Sequence, residues 1–391
     1  MISLDDAQTR LLALGGVLPC ETVPIAEAMG RWGAADVVAL RTQPARDLSA
    51  MDGYAVAYDG HRTAWRVIGE SAAGSPFRGE PKPGEAVRIF TGSALPDGTD
   101  TVIIQEDVQR DDSDIAIDQA LTVARGQHVR AAGSDFAAGD CLIRTGERIS
   151  PGRLALAASG GHGSLTVHAR VRVAIISTGD ELVPPGVEAG DDKLPSSNAL
   201  MIAALIRDLP CIVTDLGIIP DSLTALTAAI AGAEADIIVT TGGASVGDHD
   251  LVRPALIAAG ATIDFWKIAM RPGKPLMAGQ LRNSVCLGLP GNPVSAFATA
   301  HLFLRPLIAA MSGSQSPLPP RSVASLGVAL PATGPRTDHV RATVAGETVF
   351  PVGPNDSAAL LGLANATALI IRPAQSPPAS IGDKIEYISI A

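Results

Sequence analysis

The stretch VRVAIISTGDEL, residues 171–182, decides the fold of the central part of this chain. Its first six residues are apolar except for Arg172, which is typical of a buried strand. Gly179, Asp180 and Glu181 follow after Ser177 and Thr178 and favour a turn into a polar loop. The stretch therefore predicts a sheet strand that ends at a polar, glycine-containing edge.

The same succession of strands and helices continues through residues 170–312. Further strands are predicted at 211–213, 236–239 and 285–289. Helices are predicted from Ser196 or Ser197 to about Asp208, from Asp221 to about Ala233, from about Asp250 to Ala259, and from Pro293 onward. Strand, helix and strand at this spacing indicate right-handed crossovers and a doubly wound parallel sheet.

The rest of the chain divides into three kinds of sequence. Residues 1–40 carry a stripe at Leu4, Ala7, Leu11 and Leu14 that predicts one or two helices. Residues 45–140 are rich in Gly and Pro and predict a β-rich insertion, and a linker at 312–320 precedes a small all-β module. Their strand-like runs are 65–68, 86–90, 102–104, 115–117, 322–330, 339–350, 368–372 and 384–390.

Composition excludes several classes of protein. With 391 residues, 47% hydrophobic and 18% charged, the chain is not intrinsically disordered. A formal charge of −10 argues against broad nucleic-acid binding. The four cysteines have no metal-binding spacing, the start lacks a signal peptide, and Pro290 and Pro293 interrupt the longest uncharged run. We expect a soluble cytoplasmic protein without a membrane span.

Glycine-rich polar loops follow the predicted strands. They are STGDE at 177–181, TTGGASVGDHD at 240–250, RPGKP at 271–275 and LPGNPVS at 289–295. A single glycine-rich loop of this kind is often only a turn between a strand and a helix. Several of them at one edge indicate a ligand site, because ligands of open parallel sheets bind beyond the carboxyl ends of the strands. Glycines admit backbone N–H groups to a ligand, and helix N-termini favour anions. None of these loops is a P-loop, and Ser245 lacks a nucleophile elbow, so we interpret Ser245 as a hydrogen-bond donor.

The charged residues near these loops indicate an anionic ligand and a hard metal ion. Only five residues are lysine against 25 arginines, yet Lys267 and Lys274 flank Arg271. A compact ammonium suits a phosphate or another oxyanion. Carboxylates occur at Asp180, Glu181, Asp221, Asp248 and Asp250. Carboxylates beside an anionic ligand suit Mg²⁺, whereas a His/Cys cluster for zinc or copper is missing from the sequence.

Seven segments, in order along nearly the whole chain, resemble the molybdopterin molybdenumtransferase family, the bacterial relatives of the gephyrin E domain. They are SAMDGYAV (49–56), TGSALP (91–96), RAAGSD (130–135) with Gly139, STGDEL (177–182), TGGASVGDHD (241–250), RPGKP (271–275) and GLPGNPVS (288–295).

The resemblance implies a multidomain α/β architecture and an elongated homodimer. Its parts are a helical stalk (1–44 with 136–169), an inserted β-rich domain (45–135), a doubly wound parallel α/β domain that binds the pterin nucleotide (170–312), and a C-terminal small β-barrel (318–391). The implied active site lies between the α/β domain of one subunit and the inserted domain of the other.

The resemblance also implies a reaction. Adenylylated molybdopterin is hydrolysed with release of AMP, and molybdenum from molybdate is inserted at the dithiolene with the help of Mg²⁺. Molybdate and tungstate share charge and shape, so the sequence does not decide between molybdenum and tungsten. The adenylyltransferase and molybdoenzymes are candidate protein partners.

The candidate residues combine the loop residues with positions matched to the family. The expected catalytic residues are Asp52, Glu181, Asp221, Asp250, Lys267, Arg271 and Lys274, with Glu181 and Asp250 as metal ligands. The expected substrate-binding residues are Thr91, Asp135, Thr178, Gly179, Asp180, Asn198, Gly242, Gly243, Ser245, Gly247, Asp248, Pro290, Gly291, Asn292, Pro293, Arg341 and Ser357.

The chain departs from the family pattern at several positions, among them Arg46 and Leu48, which replace polar and aromatic residues just before SAMDG. Arg271 stands where many members have Lys, Ser134 replaces a common Glu beside Asp135, and Ser196 stands where an Asp is frequent. The missing carboxylates could alter metal loading. Two other functions stay open: adenylylation of molybdopterin by ATP, and a non-catalytic scaffold for the pterin or a protein partner.

Overall fold

A computed structural model describes residues 1–188, 190–243, 251–353 and 356–390. Its central element is a six-stranded sheet in which four neighbouring strands are parallel and two further strands pair antiparallel. In spatial order the strands are Cys211–Ile219, Val171–Thr178, Ile237–Thr241, Ser284–Leu289, Met277–Leu281 and Thr262–Trp266. The predicted doubly wound parallel sheet is confirmed, but the two antiparallel strands were not predicted.

Strand Val171–Thr178 is buried on both faces, as its sequence predicts. Val173 and Ile175 belong to one hydrophobic cluster, and Ala174 and Ile176 belong to another on the opposite face. Alternate side chains of a strand point to opposite faces, so the two clusters are the two helix-covered sides of the sheet.

The helices of this domain lie close to their predicted positions. They are Asn198–Leu205, Leu223–Gly232, Val252–Ala258, Pro293–Thr299 and Arg305–Met311, with the π-helical turn Ala300–Leu304 joining the last two. One cap differs from the prediction. Ser222, rather than Asp221, caps the second helix, because its Oγ accepts a hydrogen bond from the Ala225 N–H at 3.4 Å. Asp221 is therefore available to other partners.

The continuous helix Pro293–Met311 is 19 residues long and apolar enough to span a membrane by composition alone. Within the protein, however, 83% of its most apolar window is buried. Phe303 and Leu307 are completely buried in the cluster on one side of the sheet. The segment is a core helix, which explains its apolar sequence.

The first helix, Leu4–Leu14, carries the predicted stripe, but it packs on the α/β domain rather than on the stalk. Gln8 Nε2 donates to the Leu302 carbonyl at 2.9 Å, and Arg10 pairs with Asp264 at 2.8 Å. The remainder of the predicted stalk is a mixture of short elements. They are Cys20–Pro24 paired with Ser164–His168, Val37–Val38 paired with Cys141–Ile143, the 3₁₀ turn Ile25–Ala28 and the helix Pro151–Ser159.

The insertion is β-rich, as predicted. It forms a six-stranded sheet in the order Thr101–Ile104, Gly53–Val56, Glu85–Ile89, Ala64–Ser71, Asp114–Ile117 and Val108–Asp111. A two-stranded ribbon of Leu48–Ser49 and Val129–Arg130 joins the ends of the insertion. A 3₁₀ turn covers Gln105–Asp107.

The C-terminal segment closes into a five-stranded β-barrel, which confirms the last part of the predicted fold. Its strands run in the order Thr337–Ala345, Thr348–Pro351, Ser322–Leu326, Lys384–Ser389 and Ala368–Arg372, which pairs back to the first. A short helix, Leu360–Ala364, lies between two of them. The run 339–350 was predicted as one strand but folds as a hairpin, because the chain turns at Gly346 with a φ of +57°. The boundaries of the four predicted segments stay a prediction.

Candidate functional site

Three loops meet at the carboxyl end of the parallel sheet, which we call the rim. They follow strands Val171–Thr178, Ile237–Thr241 and Ser284–Leu289, which are adjacent and parallel. At Gly242, where φ is +99°, an added Cβ would lie 2.2 Å from the Thr178 carbonyl oxygen. Only glycine permits this approach, so the first two loops touch.

Asn198, at the start of its helix, ties the rim together. Its Nδ2 donates to Thr241 Oγ1 at 2.9 Å and to the Gly291 carbonyl at 2.7 Å. An added Cβ at Gly291 would lie 3.5 Å from the Gly242 Cα. The structure thus brings the predicted residues Asn198, Gly242 and Gly291 together.

The predicted acidic residues Asp180 and Asp221 are connected by hydrogen bonds at the rim. Thr178 Oγ1 donates to Asp221 Oδ1 at 2.5 Å, and the Asp221 N–H donates to Asp180 Oδ1 at 3.0 Å. Lys193 Nζ donates to the Asp180 carbonyl at 2.6 Å. Glu181 is exposed, and its carboxylate lies against Gly179, where an added Cβ would be 2.6 Å from Glu181 Oε2. These bonds fix Asp221 while Glu181 faces solvent.

A cleft of about 270 Å³ lies between the α/β domain and the barrel. From the α/β side it is lined by the RPGKP loop and the start of helix Pro293–Thr299. Its polar lining residues are Arg271, Lys274, Asn292, Ser295, Arg336, His339, Arg341, Asp356 and Ser357. Five predicted residues therefore line one cleft. Arg271, Lys274 and Asn292 come from the α/β loops, and Arg341 and Ser357 come from the barrel.

Backbone pairing between the two domains builds one wall of the cleft. Strand Met270–Arg271 leaves the α/β domain and pairs in parallel with Thr337–Asp338 of the barrel. The side chains of the paired residues Arg271 and Asp338 also form an ion pair, in which Nη1 lies 3.7 Å from Oδ2. Burial raises the pKa of the Asp338 carboxyl, and the Arg271 charge opposes that rise. Arg271 is thus anchored at its base and half-exposed at its tip.

The opposite wall depends on Arg341 and Ser357. Arg341 is 4% exposed and donates to the carbonyls of Ala359 at 2.6 Å and Asp356 at 3.0 Å. Ser357 accepts from Asn292 Nδ2 at 3.0 Å, and its carbonyl accepts from the Val294 N–H at 3.0 Å. Arg341 therefore shapes the segment that joins the barrel to the first turn of the helix.

Positive charge dominates this cleft. Among the described residues that line it, Arg271, Lys274, Arg336 and Arg341 are cationic and Asp356 is acidic. Burial lowers the pKa of the Arg341 guanidinium, but an arginine stays protonated in proteins. Guanidinium and ammonium groups around a small polar volume suit a phosphate or another oxyanion.

Lys267 does not share this cleft. Its Nζ lies 4.3 Å from the centroid of the Trp266 ring, and its backbone has a φ of +89°. The Lys267 ammonium therefore makes a cation–π contact with Trp266 and does not line the cleft with Lys274.

The candidate residues of the inserted domain form a separate group. The Thr91 N–H and Oγ1 donate to Asp52 Oδ1 at 2.7 and 2.8 Å, and these bonds lower the pKa of the Asp52 carboxyl. Arg88 lies over the rings of Tyr54 and Phe90 beside them. Asp135 is an exposed turn residue whose N–H donates to the Gln43 carbonyl at 3.1 Å.

Part of the predicted site lies outside the described residues. These positions are Ser245, Gly247, Asp248 and Asp250. In the described ranges, no group of three or more His, Cys, Asp or Glu side chains could hold a metal ion. Glu181 and Asp250 therefore stay predicted metal ligands.

Sequence reasoning missed Arg336, His339 and Asp356. His339 could have been found, because it lies two positions before the predicted Arg341 in a predicted strand and so shares its face. Arg336 and Asp356 lie in connecting segments, where the sequence gives no periodic signal.

These observations define a multidomain α/β protein with a cationic cleft between its parallel sheet and its C-terminal barrel. Residues 2–161 match the family model of the MoeA N-terminal region (domain I and II), residues 174–310 that of a probable molybdopterin binding domain, and residues 323–390 that of the MoeA C-terminal region (domain IV).

Named relatives and solved structures agree with these matches. The chain is 37% identical over 81% of its length to a molybdopterin molybdenumtransferase of Haemophilus influenzae, covering 79% of that protein. It is 32% identical over 93% of its length to molybdopterin molybdenumtransferase 2 of Mycobacterium tuberculosis, covering 94% of it. A crystal structure of a molybdopterin biosynthesis moeA protein from Pyrococcus horikoshii matches with a TM-score of 0.85 at 26% identity, covering 100% of both chains.

The chain belongs to the molybdopterin molybdenumtransferase family. The family and the fold class predicted from the sequence are confirmed.

Proposed function

We propose that this protein transfers molybdenum from molybdate to adenylylated molybdopterin, with release of AMP. The observation that carries the proposal is the cationic cleft where the RPGKP loop, the start of helix Pro293–Thr299 and the barrel meet. Molybdate is a tetrahedral dianion, and an oxyanion of this kind needs several directed donors and compensating charge.

The rim supports a phosphorylated pterin next to that cleft. Gly242 and Gly291 pack closely together there, and the helix that starts at Asn198 directs its N-terminus to the rim, which favours an anion. Asn292 belongs to both regions, since it lies in the loop after strand Ser284–Leu289 and bonds to Ser357 in the barrel. A phosphate at the rim and an oxyanion in the cleft would therefore be neighbours.

The proposed chemistry is electrostatic. Cleavage of the phosphoanhydride builds negative charge on phosphate oxygens, which Lys274, Arg271 and rim N–H groups stabilise. We propose that Glu181 and Asp250 hold Mg²⁺, because carboxylate oxygens are its preferred protein ligands and Glu181 is exposed at the rim. When bound, the ion supplies further compensating charge to the phosphate.

The remaining candidates suggest a homodimer. Asp52 and Thr91 bond to each other inside the inserted domain and not to the rim or cleft of the same chain, as far as the structure describes them. We propose that the partner subunit's inserted domain brings these two groups to the site. Reassociation of equal amounts of Asp52→Ala and Lys274→Ala subunits would then restore about a quarter of wild-type activity, since half of the dimers would be mixed with one intact site each. Recovery of no activity would contradict the shared site.

The reaction is tested by following AMP. Purified protein is incubated with adenylylated molybdopterin and Mg²⁺, with and without molybdate, and AMP is quantified by chromatography. Molybdate-dependent release supports the proposal, and no release in either case contradicts it. A parallel incubation of molybdopterin with ATP distinguishes the adenylyltransferase, and Glu181→Ala tests the metal ligand, because unchanged AMP release and magnesium dependence would exclude that role.

The cellular setting is also a proposal. We propose a cytoplasmic location, which agrees with the burial of the helix Pro293–Met311 inside the protein. Cell fractionation of the native protein would test it.

A further inference from the structure

His339 is buried in the wall of the cleft without a partner for its ring. The residue is 2% exposed, and neither Nδ1 nor Nε2 has a hydrogen-bond partner among the described residues. It lines the same cleft as Arg271, Lys274 and Arg341. Buried polar atoms are paired in nearly all native structures, so an unpaired imidazole beside a polar cleft calls for a ligand.

The strand that carries His339 fixes the direction of its side chain. In Thr337–Ala345, Ala342 belongs to the barrel core and Val340 packs against it. His339 and Arg341 occupy the alternate positions and therefore face outward, toward the α/β domain. Ile371, the cross-strand partner of His339, packs into the core of that domain. His339 thus belongs to the barrel face that closes the cleft.

Burial keeps the ring of His339 neutral beside a cationic cleft. Arg271, Lys274, Arg336, Arg341 and Asp356 face the same cleft. Burial, the charge of Arg321 and the neighbouring His301 lower the pKa of His339 to about 4. A neutral imidazole has one N–H donor and one acceptor nitrogen. Its N–H can bind an anion without adding a fifth positive charge beside the four cations.

We propose that His339 donates a ring N–H to the oxyanion that occupies this cleft. The inference rests on the function proposed above for the cleft and adds a substrate-binding residue to it. Because the cations already balance a dianion, the role of His339 is to orient it through one directed hydrogen bond.

Titration calorimetry with sodium molybdate at pH 7.5 tests the proposal on the full-length protein. His339→Phe keeps the ring size but removes the donor, and it should weaken molybdate binding on the order of ten- to a hundredfold, as expected for a lost hydrogen bond to a charged group. His339→Gln keeps an N–H and should retain most of the affinity. The matched control is His61→Gln, at an exposed histidine of the inserted domain, which should bind like wild type.

A nitrogen NMR signal provides a readout that a purely structural histidine would not move. The ring ¹⁵N resonances of His339, identified by their loss in His339→Gln, should shift when molybdate is added to labelled wild-type protein. If wild type binds molybdate but the signals stay in place, or His339→Phe binds equally well, the role of His339 is wrong while the cleft stands. If wild type does not bind molybdate, both the cleft assignment and the role of His339 are wrong.

Discussion

Asn292 Nδ2 donates a hydrogen bond to Ser357 Oγ at 3.0 Å, which joins the first turn of a core helix to the C-terminal barrel. Both residues line the cationic cleft. The bond connects the rim of the parallel sheet to the arginine-rich barrel face, so the two halves of the proposed site depend on one another.

The first prediction concerns this bond. Ser357→Ala removes the acceptor hydroxyl and should lower molybdate affinity about fivefold, since one such hydrogen bond contributes roughly 1 kcal/mol. Calorimetry with molybdate measures the change. Ser380→Ala is the matched control, because Ser380 is exposed on the barrel. Equal affinity of Ser357→Ala and Ser380→Ala would show that the bond does not shape the cleft.

The second prediction concerns the ion pair between Arg271 and Asp338. Arg271→Ala should lower activity and raise the pKa of Asp338 further, because a carboxyl that is 13% exposed loses its cation. Arg271→Lys restores a charge and should retain more activity than Arg271→Ala. Kinetics of AMP release and carbon-detected NMR titration of Asp338 measure the two effects. Activity of Arg271→Ala equal to that of Arg271→Lys would contradict a role for the charge.

The third prediction concerns glycine at the rim. Gly242→Ala places a Cβ 2.2 Å from the Thr178 carbonyl and forces an alanine to a φ of +99°. We expect a loss of about 2 kcal/mol or more in the free energy of unfolding, measured by denaturant titration. Gly232→Ala, at a helix end with open space around it, is the control and should be neutral or stabilising. Equal stability of the two variants would argue against close packing of the rim loops.

The fourth prediction concerns the loss of folding stability at acidic pH. Burial lowers the pKa values of His301 and His339 from 6.5 to about 4. Between pH 6.5 and 4 the unfolded chain binds these protons and the folded chain does not, so stability falls as the pH falls through this window. A shift of this size corresponds to roughly 3 kcal/mol per histidine.

The double variant His301→Leu with His339→Phe tests that dependence. Its free energy of unfolding should fall less steeply than that of wild type between pH 6.5 and 4, as measured by urea titration at several pH values. His61→Gln is the control, because His61 is exposed. Parallel curves for wild type and the double variant would show that the buried pair does not titrate as stated.

Local sequence was sufficient to predict the parallel sheet. In strand Val171–Thr178 the first six residues are apolar except for Arg172, and Pro293 starts its helix as expected. The antiparallel strands Met277–Leu281 and Thr262–Trp266 were missed because their assignment depends on pairing with a distant edge rather than on periodicity. The first helix was predicted from its stripe, but its docking on Leu302 and Asp264 is a long-range contact.

The candidate site was predictable where loops follow strands and less so between domains. Asn198, Gly242 and Gly291 come together because parallel strands end at one edge. The ion pair of Arg271 with Asp338 depends on the pairing of strand Met270–Arg271 with the barrel. That pairing is a long-range contact, and the sequence of the RPGKP loop does not predict it. His339 escaped notice because a single histidine in a strand is more often a core residue.

The most direct test of the cleft is formation of active cofactor. Apo-molybdoenzyme is incubated with adenylylated molybdopterin, molybdate, Mg²⁺ and either wild-type protein or the Lys274→Ala, Arg341→Ala variant, and the recovered enzyme activity is measured. We predict recovery that requires both molybdate and wild-type protein and is largely lost with the variant. Recovery by the folded variant at the wild-type rate would contradict the assignment of molybdenum transfer to this cleft.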